Sequence, residues 1–401
     1  MKIIHTADLH LGQLIYQNYD RVDEHRHFFR QLEKWCIDEQ PDALIVSGDI
    51  FDIQQPSAAT RKFFTDAFVS IRRACPSMNI IITAGNHDSA SRIQADSSIW
   101  EIAETTLIGT PPSALAERDV LEKYIVRLEN GYIIAIPYSS SSSNNQIQAM
   151  LDIIDEENKS LKPVVVMGHA AVTGSDVTGH NFEIGTLRTT DVEYFGKGAD
   201  YVALGHIHKP QTIGHQEDCM KEEAHYPTPV IRYSGSALHV SCDEQYPHTV
   251  SLVEIDRHSG EVNIRQLRID ELLHFHVLPN NGSSFTDADE AVAEVQRLAA
   301  DGYSGYFRLR MSYSTYLPAD FNQRIYEIKE VAEGTLRYNP KIEWTGKMVS
   351  EEEAKPTFEV AELQQMTDPM QFIAKTIDRY EGLEADEIRE MFDEVKRVLN
   401  E

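Results

Sequence analysis

The chain has 401 residues, of which 41% are hydrophobic, 25% charged and 9% aromatic, so it carries enough apolar material for packed cores and is not intrinsically disordered. Ordinary usage of Gly (21) and Pro (16) excludes collagen-like and low-complexity chains. The net charge of −27, from 37 basic and 64 acidic side chains, argues against a protein that holds nucleic acid by its whole surface.

Residues 1–270 repeat one grammar, a short apolar run followed by a polar cluster rich in Asp and His. Lys2–Thr6 precedes Asp8-Leu9-His10, and Ala43–Ser47 precedes Gly48-Asp49-Ile50-Phe51-Asp52. Ile80–Thr83 precedes Gly85-Asn86-His87-Asp88, Val164–Met167 precedes Gly168-His169, and Tyr201–Leu204 precedes Gly205-His206-Ile207-His208. Such runs predict strands buried on both faces. Apolar residues at helical spacing predict helices over Asp20–Glu39, Ser57–Ala74 and Ser142–Glu157. The alternation predicts an α/β domain, in which ligands collect where strands end.

From Val230 to Ile269 the pattern predicts antiparallel strands completing a second sheet. Phe275 to Trp344 predicts a compact βαβαβ unit, with helices at Asp287–Ala299 and Asp320–Val331. Residues 351–401 hold 15 acidic and 6 basic side chains, and two helices are expected there, Pro369–Arg379 and Glu384–Leu399. The expected domains are therefore 1–270, 271–346 and 347–401.

Four cysteines, Cys36, Cys75, Cys219 and Cys242, form no CxxC and are expected to be reduced thiols. The N-terminal apolar stretch is cut by His5, Asp8 and His10, unlike a signal peptide, and no apolar run approaches the ~18 residues of a membrane span. A cytoplasmic location is expected.

Asp8 and His10 are two apart at a strand end, as are His206 and His208, so each pair can point the same way. Asp49, Asn86 and His169 each follow a Gly at other strand ends. These seven residues offer two carboxylates, one amide oxygen and four imidazoles. That is too many ligands for one ion and suits two, ~3.5–4 Å apart, if a carboxylate bridges them. Oxygen and imidazole without thiolate suit Mn²⁺, Fe²⁺ or Zn²⁺. One such short motif alone is more often a turn, but the whole set at five strand ends is not.

The five clusters resemble the phosphoesterase motifs of the calcineurin-like metallophosphoesterases. The fuller segments His5–Gln13, Gly48–Asp52, Ala84–Ser89 and Ala203–Gln211 are similar to the SbcD-like family within them. Those proteins are nuclease subunits of bacterial SbcCD complexes, related to the meiotic-recombination nuclease of archaea and eukaryotes. The resemblance implies a four-layer α/β/β/α sandwich with a small α+β capping domain and a C-terminal helical segment. It implies two divalent ions, most simply Mn²⁺, one held by Asp8, His10, Asp49 and His208 and the other by Asp49, Asn86, His169 and His206. His87 would then act on the reacting phosphate, with Asp52 orienting it and favouring its charged form, although some archaeal relatives have a histidine at the place of Asp52. Asp88 would brace the loop.

The function implied is a metal-dependent DNA nuclease, a double-strand exonuclease and single-strand or hairpin endonuclease of DNA repair, recombination and replication. It would be cytoplasmic, nucleoid-associated and homodimeric, with the C-terminal helices gripping an SbcC-type ATPase. The contacts to DNA ends and hairpins would include Gln13, Tyr16, Asn18, Gln54, Gln55, Ser89 and Arg92, which flank the motifs. The alternative is a general metallophosphoesterase acting on small nucleotides or phosphoproteins. A phosphoprotein phosphatase is expected to carry Arg and Glu where this chain has Ile53 and Asp88. A third possibility, a non-catalytic scaffold, is opposed by the intact ligand set.

Overall fold

The computed structural model describes residues 1–16, 18–140, 145–178, 189–215 and 221–346. Cys219 and the whole of 347–401, with the helices expected to grip an SbcC-type ATPase, lie outside the described residues.

Two sheets carry the fold. In the first, strands follow the order Glu223–Pro227, Glu261–Arg268, Thr249–Asp256, Lys2–Thr6, Ala43–Ser47, Asn79–Thr83 and Thr105–Ile108. In the second the order is Gln211–Thr212, Val230–Tyr233, Tyr201–Gly205, Val164–His169, Tyr132–Ala135 and Ile125–Arg127. Strand period two sorts the side chains into layers. Ala43 and Ile45 meet Val165, Met167, Tyr201 and Ala203 between the two sheets. Their neighbours Leu44 and Val46 turn outward onto the helices Val22–Glu39, Ala58–Ala74 and Ala90–Ile102. On the far side Val166, Val202 and Leu204 cover the helix Ile147–Glu157. The result is the expected α/β/β/α sandwich.

Local signals explain the helices. Ser57 caps the second one, its hydroxyl accepting the Thr60 N–H at 3.1 Å. The helix predicted over Ser142–Glu157 is seen from Ile147, and 141–144 are not described.

Two expectations need correction. The runs after Val230 do not form one sheet. Val230–Tyr233 pairs in parallel with Tyr201–Gly205, whereas Thr249–Asp256 joins the first sheet antiparallel to Lys2–Thr6. The reason is burial. Val230–Tyr233 is buried at every position and suits a parallel sheet, whereas in Glu261–Arg268 only Val262, Ile264 and Leu267 are buried, as in an antiparallel strand with one wetter face. The helix predicted over Asp320–Val331 is two short pieces, Phe321–Tyr326 and Lys329–Ala332, broken where Ile328 is extended.

The described residues divide into two units, Met1–Arg310 with Tyr316–Glu343, and Met311–Thr315 with the chain from Trp344. The first unit therefore takes in most of the 271–346 segment. There His274–Leu278 pairs in parallel with Gly305–Ser312, and the helix Ala288–Ala300 is capped by Asp287. In the second unit the rings of Tyr313 and Trp344 stack at 5.6 Å. Among the described residues no helix is long and apolar enough to cross a membrane.

Candidate metal centre

Lys2–Thr6, Ala43–Ser47 and Asn79–Thr83 run parallel in the first sheet, and Val164–His169 and Tyr201–Gly205 run parallel in the second. Their C-terminal ends lie together, so the five loops that follow them share one place. Ligand atoms of Asp8, His10 and His208 lie within 4.8 Å of one another, as do those of Asp49, His169 and His206. A third such group, His10, Asp49 and His87, joins the two.

The backbone bends sharply to bring them there. Asp8 (φ 51°), His10 (44°), Asp49 (48°) and His206 (95°) all lie in the left-handed region that favours glycine. Each such residue costs ~1–3 kcal/mol and persists only where its surroundings dictate it. Gly85 shows the crowding, because a Cβ there would come within 2.1 Å of the Asp49 Oδ1. Gly48, at φ +86°, would set a Cβ 2.2 Å from Nδ1 of His169.

Hydrogen bonds fix each group. The Asp8 carboxylate accepts the His206 main-chain N–H at 2.9 Å, and the Asp49 Oδ1 accepts that of His87 at 2.8 Å. Nδ1 of His169 lies 2.8 Å from the Ser47 carbonyl oxygen, which can only accept, so Nδ1 carries the hydrogen and Nε2 faces the cluster. The Asn86 Oδ1 then lies 2.9 Å from both Nε2 of His169 and Nδ1 of His206. Asp88 braces the loop, accepting the N–H groups of Gly85, Phe51 and Ile50 at 2.8, 2.9 and 3.0 Å.

Burial and proximity shape the charges. Burial pushes the Asp8 carboxyl up to about 6 and that of Asp88 up to about 6. Burial opposes charge on His10, but Asp52, Asp49 and Asp8 prevail and lift it to about 9. At His169 burial is likewise outweighed by Asp49 and Asp8, and its value rises to about 9. Burial would raise Asp49, yet His169, His10 and His87 hold it well below the usual carboxylate range. This set fits divalent cations. Two buried carboxylates face imidazoles that take charge to balance them, and Nε2 of His10, at 2% exposure, lacks a hydrogen-bond partner among the described residues.

His87 differs from the buried residues around it. It is exposed, and its Nδ1 lies 2.8 Å from the main-chain carbonyl oxygen of Asp52. The Asp52 carboxylate, expected to orient His87, turns instead to Nδ1 of His10 at 3.4 Å.

The flanking polar residues separate into groups. Gln13 is 9% exposed and spends its amide within the chain, accepting from Arg21 at 2.9 Å and donating to the Val240 carbonyl at 3.2 Å. The Tyr16 ring stands edge-on to Tyr19 and Tyr306, at 6.4 and 6.0 Å. Asn18, Gln54, Gln55 and Arg92 are exposed, and Ser89 is half-buried at the start of a helix. A pocket beside the cluster is lined by His10, Asp52, His87 and His208 together with Asn339 and Lys341. Sequence motifs did not mark Asn339, Lys341 or Glu244, whose Oε1 lies 2.8 Å from Nδ1 of His208. Only the fold brings these three to the site.

The sandwich and the carboxylate–imidazole cluster at its strand ends define a metallophosphoesterase. The description of the calcineurin-like phosphoesterases matches residues 1–210, just over half of the chain, and the chain belongs to that family. It is similar to SbcD, the nuclease SbcCD component of that name, from Rhodobacter capsulatus, 26% identical over 345 residues, 77% of this chain and 80% of the relative. The SbcD protein of Escherichia coli is 28% identical over 282 residues, 63% of this chain and 65% of the relative. That of Bacillus subtilis is 28% identical over 284 residues, 63% of this chain and 66% of the relative. The chain thus spans just under two thirds of the last two relatives.

Proposed function

We propose that this chain is a DNA nuclease of the SbcD type, cutting double-stranded ends and hairpins with an SbcC-type ATPase. The observation that carries the reading is the convergence of Asp8, His10, Asp49, Asn86, His169, His206 and His208 beneath an exposed His87. Its kinship with nuclease components supports DNA over a small ester.

Asp8, His10, Asp49 and His208 would hold one Mn²⁺, and Asp49, Asn86, His169 and His206 a second, with Asp49 shared. Two such ions, when bound, acidify a water and neutralise phosphate charge. His169, fixed by the Ser47 carbonyl, presents Nε2 and cannot rotate away. His87 is held by two contacts, its N–H on Asp49 and its Nδ1 on the Asp52 carbonyl. Since Nδ1 holds its hydrogen there, Nε2 is left for the substrate. With both ring nitrogens protonated, Nε2–H would donate to charge developing on the phosphate, or pass its proton to the departing deoxyribose oxygen. Water attacks phosphorus in line as the P–O bond to the sugar breaks, and the scaffold contributes mostly position.

The acidity of the chain predicts weak DNA binding by this protein alone, with affinity gained from the metals, from a homodimer and from the ATPase. Digestion of a labelled hairpin DNA with Mn²⁺, beside a generic aryl phosphodiester, tests the substrate. Cleavage of the hairpin is expected. Cleavage of the small ester alone favours a general phosphoesterase and removes the nuclease reading.

A further inference from the structure

Glu244 belongs to none of the five motifs and lies beyond the residues, 1–210, that match the family. Its side chain is fully buried, at 0% exposure. Oε2 accepts the Val240 main-chain N–H at 3.0 Å and the Ser236 hydroxyl at 3.4 Å, and lies 3.5 Å from Nε2 of His248. Held in this way, the carboxylate cannot turn, and its Oε1 stays 2.8 Å from Nδ1 of His208. The loop that carries it is tied down as well, since the Val240 carbonyl accepts from Gln13.

The chemistry of an imidazole ligand gives this contact a role. A ring that offers Nε2 to a cation keeps its hydrogen on Nδ1, and that hydrogen needs an acceptor. At His169 the Ser47 carbonyl supplies one, and at His208 the supplier is Glu244. Glu244 engages Nδ1, and His208 belongs to the group it forms with Asp8 and His10. We propose that Glu244 is a positioning residue that fixes the tautomer and orientation of His208, and so sets the affinity of the metal position built from Asp8, His10 and His208. The inference rests on the metal-holding reading above.

The test titrates the metal-free full chain with Mn²⁺ by calorimetry, in the wild type, Glu244→Gln and Glu244→Ala. The glutamine keeps an acceptor oxygen, so affinity falls by less than about 10-fold, and the alanine weakens one of the two ions by about 10–100-fold and leaves the other unchanged. The Tm of the metal-free variants reports any packing loss separately. Where the alanine variant does not fold, Glu244→Asp, which withdraws the oxygen by one methylene, must weaken the same ion. Wild-type affinity for both ions in the folded alanine or aspartate variant overturns the proposal. A wild type that takes up no Mn²⁺ overturns the metal-holding reading itself, and Glu244 falls with it.

Discussion

His87 leans on the main chain of Asp52, not on its carboxylate: Nδ1 lies 2.8 Å from the carbonyl oxygen, while the carboxylate faces His10 at 3.4 Å. The two residues therefore serve the site separately. Replacing His87 by Ala is expected to lower kcat about 10²–10⁴-fold, the worth of a positioned acid, with Mn²⁺ affinity unchanged. Asp52→Ala keeps the carbonyl and so keeps His87 in place. Its expected effect is a higher Mn²⁺ requirement through His10, with kcat near wild type once Mn²⁺ saturates. Hairpin cleavage followed against Mn²⁺ concentration separates the two, and an Asp52→Ala loss as deep as that of His87→Ala at saturation contradicts the separation.

Gly85 is where the loops touch most closely. An added Cβ would lie 2.1 Å from the Asp49 Oδ1 and 2.2 Å from its main-chain nitrogen. Neither atom can yield, because one is a proposed bridging ligand and the other is backbone. Gly85→Ala is expected to destabilise the fold by about 1–3 kcal/mol, as overpacking does, and to weaken Mn²⁺ binding. Urea unfolding and a Mn²⁺ titration read the two effects, and a variant equal to the wild type in both refutes the crowding.

Metal uptake is expected to release protons. His10 and His169 are lifted to about 9 in the metal-free chain, so both carry a proton near neutral pH. Ligation needs the neutral rings, so Mn²⁺ displaces up to about two protons near pH 7.5, and affinity rises with pH toward 9. Calorimetry in buffers of different ionisation enthalpy counts the protons. An enthalpy independent of buffer contradicts the assignment of these two rings.

His5 predicts an acid weakness in the fold. It is fully buried, its Nδ1 lies 2.9 Å from the Tyr201 hydroxyl, and burial together with the Arg232 guanidinium lowers it to about 3. The unfolded chain, with histidine near 6.5, binds this proton more readily, so stability falls as pH drops from about 6.5 toward 3. In the metal-free protein the stability gap between wild type and His5→Gln is expected to narrow by up to about 1.4 kcal/mol per pH unit over that range. Urea unfolding at several pH values measures it, and a gap constant with pH counts against a neutral buried His5.

Much of this was legible in the sequence because strand ends are local events. A β-branched run followed by Gly-Asp or Gly-His announces both a buried strand and what its end presents, and Ala43–Ser47 before Asp49 and Tyr201–Gly205 before His206 are found so. What was not legible depends on distant parts of the chain. The Asp52 carboxylate could be placed on His10 only once the left-handed turn at Asp49 was known. That the Gln13 amide bonds Arg21 and Val240 could not be read from its place beside the first motif. Glu244 stands 36 residues beyond His208, with no spacing rule to join them. The sheet assignment of Thr249–Asp256 likewise turns on a partner, Lys2–Thr6, at the other end of the domain.

The central claim is that Asp49 bridges two divalent ions at this cluster, and electron paramagnetic resonance of the Mn²⁺-loaded protein tests it most directly. Two equivalents of Mn²⁺ with a spin-coupled spectrum, uncoupled by Asp49→Ala, are the predicted result. A single equivalent giving the spectrum of an isolated ion contradicts it.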